Sequence, residues 1–275
     1  MVPHAPWRGV WALCQSRVVT ESRPEALRDR TFRNRSLRSS RFIGCDFGDV
    51  VVRGSEVAGM EIESPWLLEG DRGLLVNGVD VVPLVDAELN RRFPGRELRD
   101  ARDPEGLTAA WAALEQTWEA TLERALAMPP GTLDASVDDE WSFTQTLRHL
   151  VMATDTWLGR AILDRSRPYH PAGLPNDDHD SAAYDESDFS AEPPSLAEVL
   201  EARADRQAMV RRYIAGITAE ELEAPRKNPH APDYPETVLS CLRTILEEEW
   251  EHHRYAVRDL DTLAQAHTTP APESS

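Results

Sequence analysis

Residues 247–255 read Glu-Glu-Glu-Trp-Glu-His-His-Arg-Tyr, and they interrupt an apolar stripe that otherwise predicts a buried helix. In steps of three and four, the stripe passes through Leu242, Ile245, Glu249, His253, Ala256, Leu260 and Leu263. This period is typical of the buried face of an amphipathic helix. A carboxylate that is buried without a partner is costly, so a compensating group is expected. A divalent metal ion held by Glu249 and His253 would compensate it.

A second register is available on the same helix. Glu248 and His252 are also four residues apart, but they project about 100° away from the first pair, toward the flank of the helix. We therefore prefer Glu249 and His253. The alternative without a metal is a simple i,i+4 pair, which stabilises a helix by only a few tenths of a kcal/mol.

A third ligand is expected from another helix. His149 lies at the edge of an apolar stripe that includes Leu147, Leu150 and Trp157. By itself it would be an ordinary hydrogen-bonded histidine, but inward-facing carboxylates and imidazoles on facing helices are how bundles hold metals. The predicted ligands are therefore His149, Glu249 and His253. Two imidazoles and one carboxylate leave coordination positions open, as a catalytic zinc requires, and they also suit Ni²⁺, Fe²⁺ or Mn²⁺.

Apolar periodicity predicts four long helices, at about 107–127, 142–162, 196–215 and 236–264. Two of them begin at capping boxes, Ser142 with Gln145 and Ser195 with Glu198. Four helices of this length favour a four-helix bundle.

The second and third helices are separated by a segment too long for a hairpin loop. We expect a crossover that covers one end of the bundle. His170 and His179 lie in this segment, and we interpret them as solvent-exposed or lid residues, with the alternative that one of them is a further metal ligand.

A five-residue period precedes the helices. The apolar positions are Leu27, Phe32, Leu37, Phe42, Phe47, Val52, Val57, Ile62 and Leu67. This pattern resembles the pentapeptide-repeat family, whose members form a square, right-handed β-helix. The resemblance implies about two coils over 27–67, with the apolar positions from Phe42 to Ile62 inside. Arg30 and Arg35 depart from the small-residue positions of that pattern, and an irregular meander of short strands is the alternative.

The predicted organisation is thus multi-domain, with both α and β structure. A β-helical segment with its cap occupies 1–100, and an all-α bundle occupies 105–266. Asn77-Gly78 predicts a turn between two β-prone runs, the residues from Phe93 to Pro104 are interpreted as a linker, and 267–275 as a disordered tail.

Composition restricts the class of protein. The net charge is −18, and residues 1–60 carry ten arginines against six acidic residues. The remainder is therefore strongly acidic, which argues against nucleic-acid binding. The sequence has no apolar run long enough for a membrane span, no recognisable signal peptide, and three widely spaced cysteines that suit reduced thiols. We expect a cytoplasmic protein, and a homodimer stays open.

His149-Leu-Val with Trp157, followed by Glu249-Trp-Glu-His-His253-Arg-Tyr, resembles the DinB superfamily of metal-binding four-helix bundles. Many members have His at the first position of the second motif. Glu at that position resembles the branch that includes mycothiol-dependent maleylpyruvate isomerase. The resemblance covers about 107–264. It implies a metal ion that activates a low-molecular-weight thiol for S-transfer or isomerisation of a small substrate, although the accessory domain of that isomerase has no counterpart here.

An alternative from another class is a metal-stabilised scaffold whose repeat segment binds a protein partner. An enzyme should leave a metal coordination position open, whereas a scaffold should close it with a fourth side chain such as His170 or His179. The sequence itself identifies neither the substrate nor the thiol.

Overall fold

A computed structural model describes residues 27, 29–68, 72–175 and 184–268. The chain divides into two compact units, one of 1–65 with 176–180 and the other of 66–175 with 181–275. None of the described helices combines the length and the hydrophobicity that a membrane span requires.

The described part of the larger unit is mainly helical. Its α-helices are α1 (Val82–Arg92), α2 (Pro104–Leu126), α3 (Phe143–Thr154), α4 (Leu196–Gly216), α5 (Ala219–Leu222) and α6 (Val238–Thr268). A π-helix, Asp155–Ile162, directly continues α3. Short 3₁₀ helices occupy Arg96–Asp100, Thr132–Asp134 and Glu186–Asp188.

Two short antiparallel hairpins complete the described elements of this unit. They pair β1 (Leu75–Val76) with β2 (Val79–Asp80), and β3 (Pro225–Lys227) with β4 (Pro235–Thr237). The predicted turn at Asn77-Gly78 is confirmed, since both residues have positive φ between β1 and β2.

Both predicted capping boxes are present. The Ser142 hydroxyl accepts from the backbone N–H of Gln145 and starts α3, and Ser195 does the same with Glu198 to start α4. These bonds satisfy backbone donors that a helix leaves free in its first turn. The helix starts were therefore predictable from local sequence.

The four long helices pack so that α2 and α3 each contact both α4 and α6. Their inner faces form a core rich in large side chains, including Trp111, Leu114, Leu150, Val199 and Leu242. Because α6 has α3 on one side and α2 on another, it buries two faces. This arrangement decides which polar pair of α6 meets His149.

The structure groups residues 66–100 with the bundle unit, whereas the sequence placed them with the repeat. The segment interpreted as a linker contains a buried side chain, because Arg96 is 2% exposed and its Nη1 donates to Asp86 Oδ1 at 2.7 Å. Asp86 belongs to α1. This helix was not predicted, because the β-prone residues around Asn77-Gly78 favoured strands in this segment. Pro83 fits the first turn of α1, where no backbone donor is needed.

The repeat segment keeps its five-residue period in the backbone. Positive φ recurs at Asp29, Asn34, Ser39, Gly44, Asp49, Gly54 and Gly59. No strand is assigned within 29–63, and the side chains expected inside are 51–57% exposed, namely Phe42, Phe47, Val52, Val57 and Ile62. The predicted buried interior is thus not found. The physical reason is that side chains in a stack of so few coils have almost no neighbouring coil to cover them.

The predicted disordered tail falls mostly on 269–275, which lie outside the described residues. Helix α6 itself extends to Thr268, a few residues beyond the predicted end.

Candidate metal centre

His149 lies in the middle of α3, on a helix that is buried on nearly every side. All but one of the residues from Phe143 to Thr154 are buried, because α3 packs between α4 and α6 and a loop covers it. Arg148 holds that loop, since its Nε donates to the Ala172 carbonyl at 3.1 Å and its Nη2 donates to Gly173 at 3.2 Å. His149 is consequently 3% exposed.

Glu248 and His252 face His149 from α6. His149 Nε2 lies 3.4 Å from Glu248 Oε2, and His252 Nδ1 lies 3.6 Å from the same oxygen. The two imidazole rings stack with centroids 4.6 Å apart and an interplanar angle of 23°. The three side chains offer ligand atoms that all lie within 4.8 Å of one another, and all three are buried.

The hydrogen bonds of the cluster orient its donors. His252 Nδ1 lies 2.9 Å from the backbone carbonyl oxygen of Glu248. Because a carbonyl only accepts, Nδ1 is assigned the proton, and Nε2 keeps its lone pair. This arrangement, with one ring nitrogen bonded to a carbonyl, is the usual way in which proteins orient a metal-binding histidine.

Burial changes the protonation of all three groups. It lowers the pKa of His149 to about 4 and that of His252 to about 3. Burial also raises the pKa of Glu248 to about 7. At neutral pH the imidazoles are therefore uncharged and available as ligands. A carboxylate among neutral rings has little compensation, so the donor set fits a divalent cation.

Aromatic side chains border the cluster. The half-buried Trp141 has its ring centroid 4.7 Å from that of His149 and 6.2 Å from that of His252. Tyr255 lies edge-on to His252 at 5.8 Å. The two imidazoles are thus lined by rings that can contact an apolar ligand.

The pair preferred from the sequence points elsewhere. Glu249 Oε2 accepts from Arg203 of α4, and His253 Nε2 lies 2.8 Å from Thr121 Oγ1 of α2. The structure therefore brings His149 together with Glu248 and His252, and it does not bring Glu249 and His253 to it. Consecutive residues of a helix diverge by about 100°, so the two pairs face different neighbours.

The apolar stripe could not decide between the registers. Glu248, Glu249, Trp250, His252 and His253 are all at most 5% exposed, because α6 is buried on two faces. A prediction based on one inward face assigns the flank to solvent. The choice between the two pairs requires the positions of the helices around α6, which cannot be deduced from the spacing of residues within α6.

The crossover histidines were interpreted as solvent or lid residues. His170 is half-buried, its backbone N–H donates to Asp155 Oδ2 at 2.8 Å, and its Nδ1 accepts from the Ala172 N–H. It is not part of the ligand cluster. His179 lies outside the described residues.

One functional candidate, Asp155, was not predicted from the sequence. Asp155 is fully buried, and both its oxygens accept from Arg206 of α4. Burial raises its pKa to about 6, although Arg206 opposes that rise. Arg203 and Arg206 lie one turn apart on α4. This spacing could have predicted that each arginine pairs with a buried carboxylate, as they do with Glu249 and Asp155.

The model of one protein family, described as the DinB superfamily, matches residues 113–256, slightly more than half of the chain. The matched region includes His149, Glu248 and His252. No curated protein and no solved structure matches the chain.

Proposed function

Because the chain belongs to the DinB superfamily, we propose that it is a metal-dependent enzyme that uses a low-molecular-weight thiol on a small electrophile. The reaction class is S-transfer or isomerisation. The proposal rests on the buried cluster of His149, Glu248 and His252. Three protein ligands are the number found in catalytic zinc sites, where the remaining coordination positions serve water or substrate.

The donor set limits the metal. Two neutral imidazoles and one carboxylate suit Zn²⁺, and they also suit Ni²⁺, Fe²⁺ or Mn²⁺. A divalent ion bound there lowers the pKa of a thiol or water that coordinates it. Within the protein, His149 and His252 supply lone pairs, and Glu248 supplies the negative charge.

The described cysteines support an external thiol. Cys241 is buried, and burial raises the pKa of its thiol to about 12, so it stays protonated at neutral pH. Cys45 belongs to the other compact unit, and Cys14 lies outside the described residues. A co-substrate thiol would supply the nucleophile that Cys241 does not.

The surroundings of the cluster favour catalysis over a purely structural ion. A structural zinc site is closed by four protein ligands, but the Nδ1 of His170, a candidate for closing it, is engaged by the Ala172 N–H. Trp141 instead covers both imidazoles with a half-buried ring. A half-buried aromatic ring beside a set of three ligands suits a small, partly apolar substrate.

The test is an activity panel with the metal-loaded protein. Mycothiol, glutathione, bacillithiol and cysteine are each combined with chloroarenes, epoxides and enones that resemble maleylpyruvate. Product formation should require both thiol and metal, and Glu248→Gln should reduce it because the ligand charge is lost. Glu247→Gln is the matched control, since it changes a neighbouring carboxylate outside the cluster. A metal-loaded protein without thiol-dependent turnover across the panel would contradict the proposal.

One observation favours a second candidate, a metal-stabilised scaffold. The repeat segment exposes apolar side chains at regular positions, and the rings of Phe42 and Phe47 lie edge to face at 5.3 Å. Exposed apolar surface of this kind often marks a protein-binding site. In this alternative, the double variant Phe42→Ser with Phe47→Ser would no longer bind the protein partner. Removal of the metal would lower the stability of the protein, which would show no turnover with or without the ion.

A further inference from the structure

A cleft of about 620 Å³ lies beside the π-helix that continues α3. This volume is in the usual range for small-molecule sites. Arg160 of the π-helix, Arg165 after it, and Tyr169 and Tyr184 contribute to the wall, together with three aspartates. π-helical turns occur frequently at functional sites.

The cations and the acids of the cleft differ in their hydrogen-bond and ion-pair partners among the described residues, although the charge of Arg165 acts on Asp155. Within the described part of the chain, Arg160 and Arg165 make no hydrogen bond or ion pair through their side chains. Asp188 is paired with Arg167 at 3.3 Å, and Asp185 Oδ1 accepts from the Ser187 backbone N–H at 2.8 Å. Arg160 is also half-buried, and a partly desolvated guanidinium without an anion is costly.

The charge of Arg160 acts on His230 and on Tyr169. Burial lowers the pKa of His230 to about 4, with smaller contributions from Arg160 and His149. Burial raises the pKa of the Tyr169 hydroxyl, and a hydrogen bond with Thr156 and the charge of Arg160 oppose that rise. Arg160 is therefore within electrostatic range of Tyr169, which lines the cleft, and of His230.

Backbone contacts fix the chain that carries the cleft residues Arg160 and Arg165. The backbone N–H of Arg165 donates to the Gly159 carbonyl at 3.0 Å, which folds the chain back on the π-helix. A Cβ at Gly159 would lie 2.9 Å from Pro168 Cβ, so only glycine permits this close approach. Asp155 fixes the following loop by accepting from the His170 N–H. Arg160 is thus presented from a preorganised backbone.

Tyr169 and Tyr184 contribute aromatic rings to the wall of the cleft. Tyr169, Tyr184 and Phe189 pack against one another with ring centroids 5.6–6.0 Å apart. Such rings offer flat apolar faces and edges that favour other aromatic or unsaturated groups. The cleft therefore combines aromatic rings with a guanidinium that has no hydrogen-bond or ion-pair partner among the described residues.

We propose that this cleft binds a small aromatic or unsaturated carboxylate, with the carboxylate against Arg160 and the π system against Tyr169 and Tyr184. The site is assigned independently of any metal chemistry. It lies at the end of the same continuous helical segment that carries His149, eleven residues earlier in the sequence.

The test is calorimetry of the full-length protein with three probes of one shape and different charge: benzoate, benzamide and benzylammonium. Benzoate should bind at least about tenfold more tightly than the other two, because a charge-assisted hydrogen bond is lost in each. Tighter binding of benzylammonium would mean that the aspartates dominate, and it would overturn the proposal, as would equal binding of benzoate and benzamide.

Variants locate the carboxylate. Arg160→Gln should weaken benzoate binding about tenfold or more, and Arg160→Lys should recover part of that loss. Arg212→Gln, an exposed α4 arginine outside the cleft wall, should leave the affinity unchanged. His252→Ala should also keep benzoate binding. If His252→Ala abolishes it while Arg160→Gln does not, the carboxylate sits at the metal cluster and the proposal is wrong.

Discussion

Two polar pairs lie side by side on α6, and the bundle treats them differently. Glu248 and His252 face α3, where they meet His149. Glu249 and His253 face α4 and α2, where Arg203 bonds to one oxygen of Glu249 and Thr121 bonds to Nε2 of His253. Both pairs have the same spacing and the same burial, so sequence pattern alone cannot separate a ligand pair from a structural pair.

The difference lies in the partners. Glu249 is neutralised by a permanent cation, which leaves little need for a metal ion. Glu248 is surrounded by imidazoles that burial keeps neutral, so its charge is compensated only by a proton or by a cation from outside. We therefore propose that the first pair binds a metal ion and that the second pair orients α6.

The largest expected effect comes from removing the cation of the structural pair. Arg203→Met should destabilise the protein by about 3–5 kcal/mol, because Glu249 is left buried without a partner. Urea unfolding monitored by circular dichroism measures this change.

The double variant Arg203→Met with Glu249→Leu should recover most of the lost stability, since an apolar pair of similar volume replaces the ions. A loss below about 1 kcal/mol for Arg203→Met, as found for exposed ion pairs, would show that the pair is solvated and not structural.

The second prediction is that the affinity for the metal ion depends on pH. Because the pKa of Glu248 is raised to about 7 in the metal-free protein, the metal must displace its proton at lower pH. Affinity should fall about tenfold for each unit of pH below 7 and level off above it. The imidazoles, with lowered pKa values near 3 and 4, add nothing to the slope between pH 5 and 7.

A competition titration with a metallochromic chelator from pH 5 to 8 measures that slope. Glu248→Gln should weaken binding and flatten the dependence. A slope of two protons per ion that begins near pH 6.5 would instead mean that the histidines titrate normally, as in an exposed site.

The smallest effect concerns the hydrogen bond of His253. Thr121→Val keeps the shape of the side chain and removes the Oγ1 that lies 2.8 Å from His253 Nε2. Stability should fall by about 1–2 kcal/mol, because a buried polar atom loses its partner. Metal content should not change.

Thr117→Val is the matched control one turn earlier on α2, where Oγ1 bonds only to the Ala113 carbonyl of its own helix. It should change the stability by less than about 0.5 kcal/mol. If Thr121→Val lost the metal ion, His253 would have to be a metal ligand, and the proposed site would be wrong.

The features that depend on local sequence were predictable. The capping boxes at Ser142 and Ser195 start their helices as expected, and Asn77-Gly78 forms its turn. His149 was found because an imidazole next to Leu150 on an apolar helix stands out. These signals act over a few residues, and neighbouring chain segments do not change them.

The features that depend on packing were not predictable. The choice between Glu248 and Glu249 depends on which helices flank α6, and the burial of Arg96 depends on α1. The repeat shows the same limit, since its period appears in the backbone while Phe42 stays 53% exposed. Periodicity reports which side chains share a face, and only the tertiary arrangement decides what covers that face.

The metal content of two single variants, His252→Ala and His253→Ala, shows which pair of α6 binds the ion when it is measured by plasma mass spectrometry after dialysis. The wild-type chain should hold about one divalent ion. His252→Ala should lose it, whereas His253→Ala should retain it at nearly the wild-type level. Retention in His252→Ala together with loss in His253→Ala would contradict the account and restore the register preferred from the sequence.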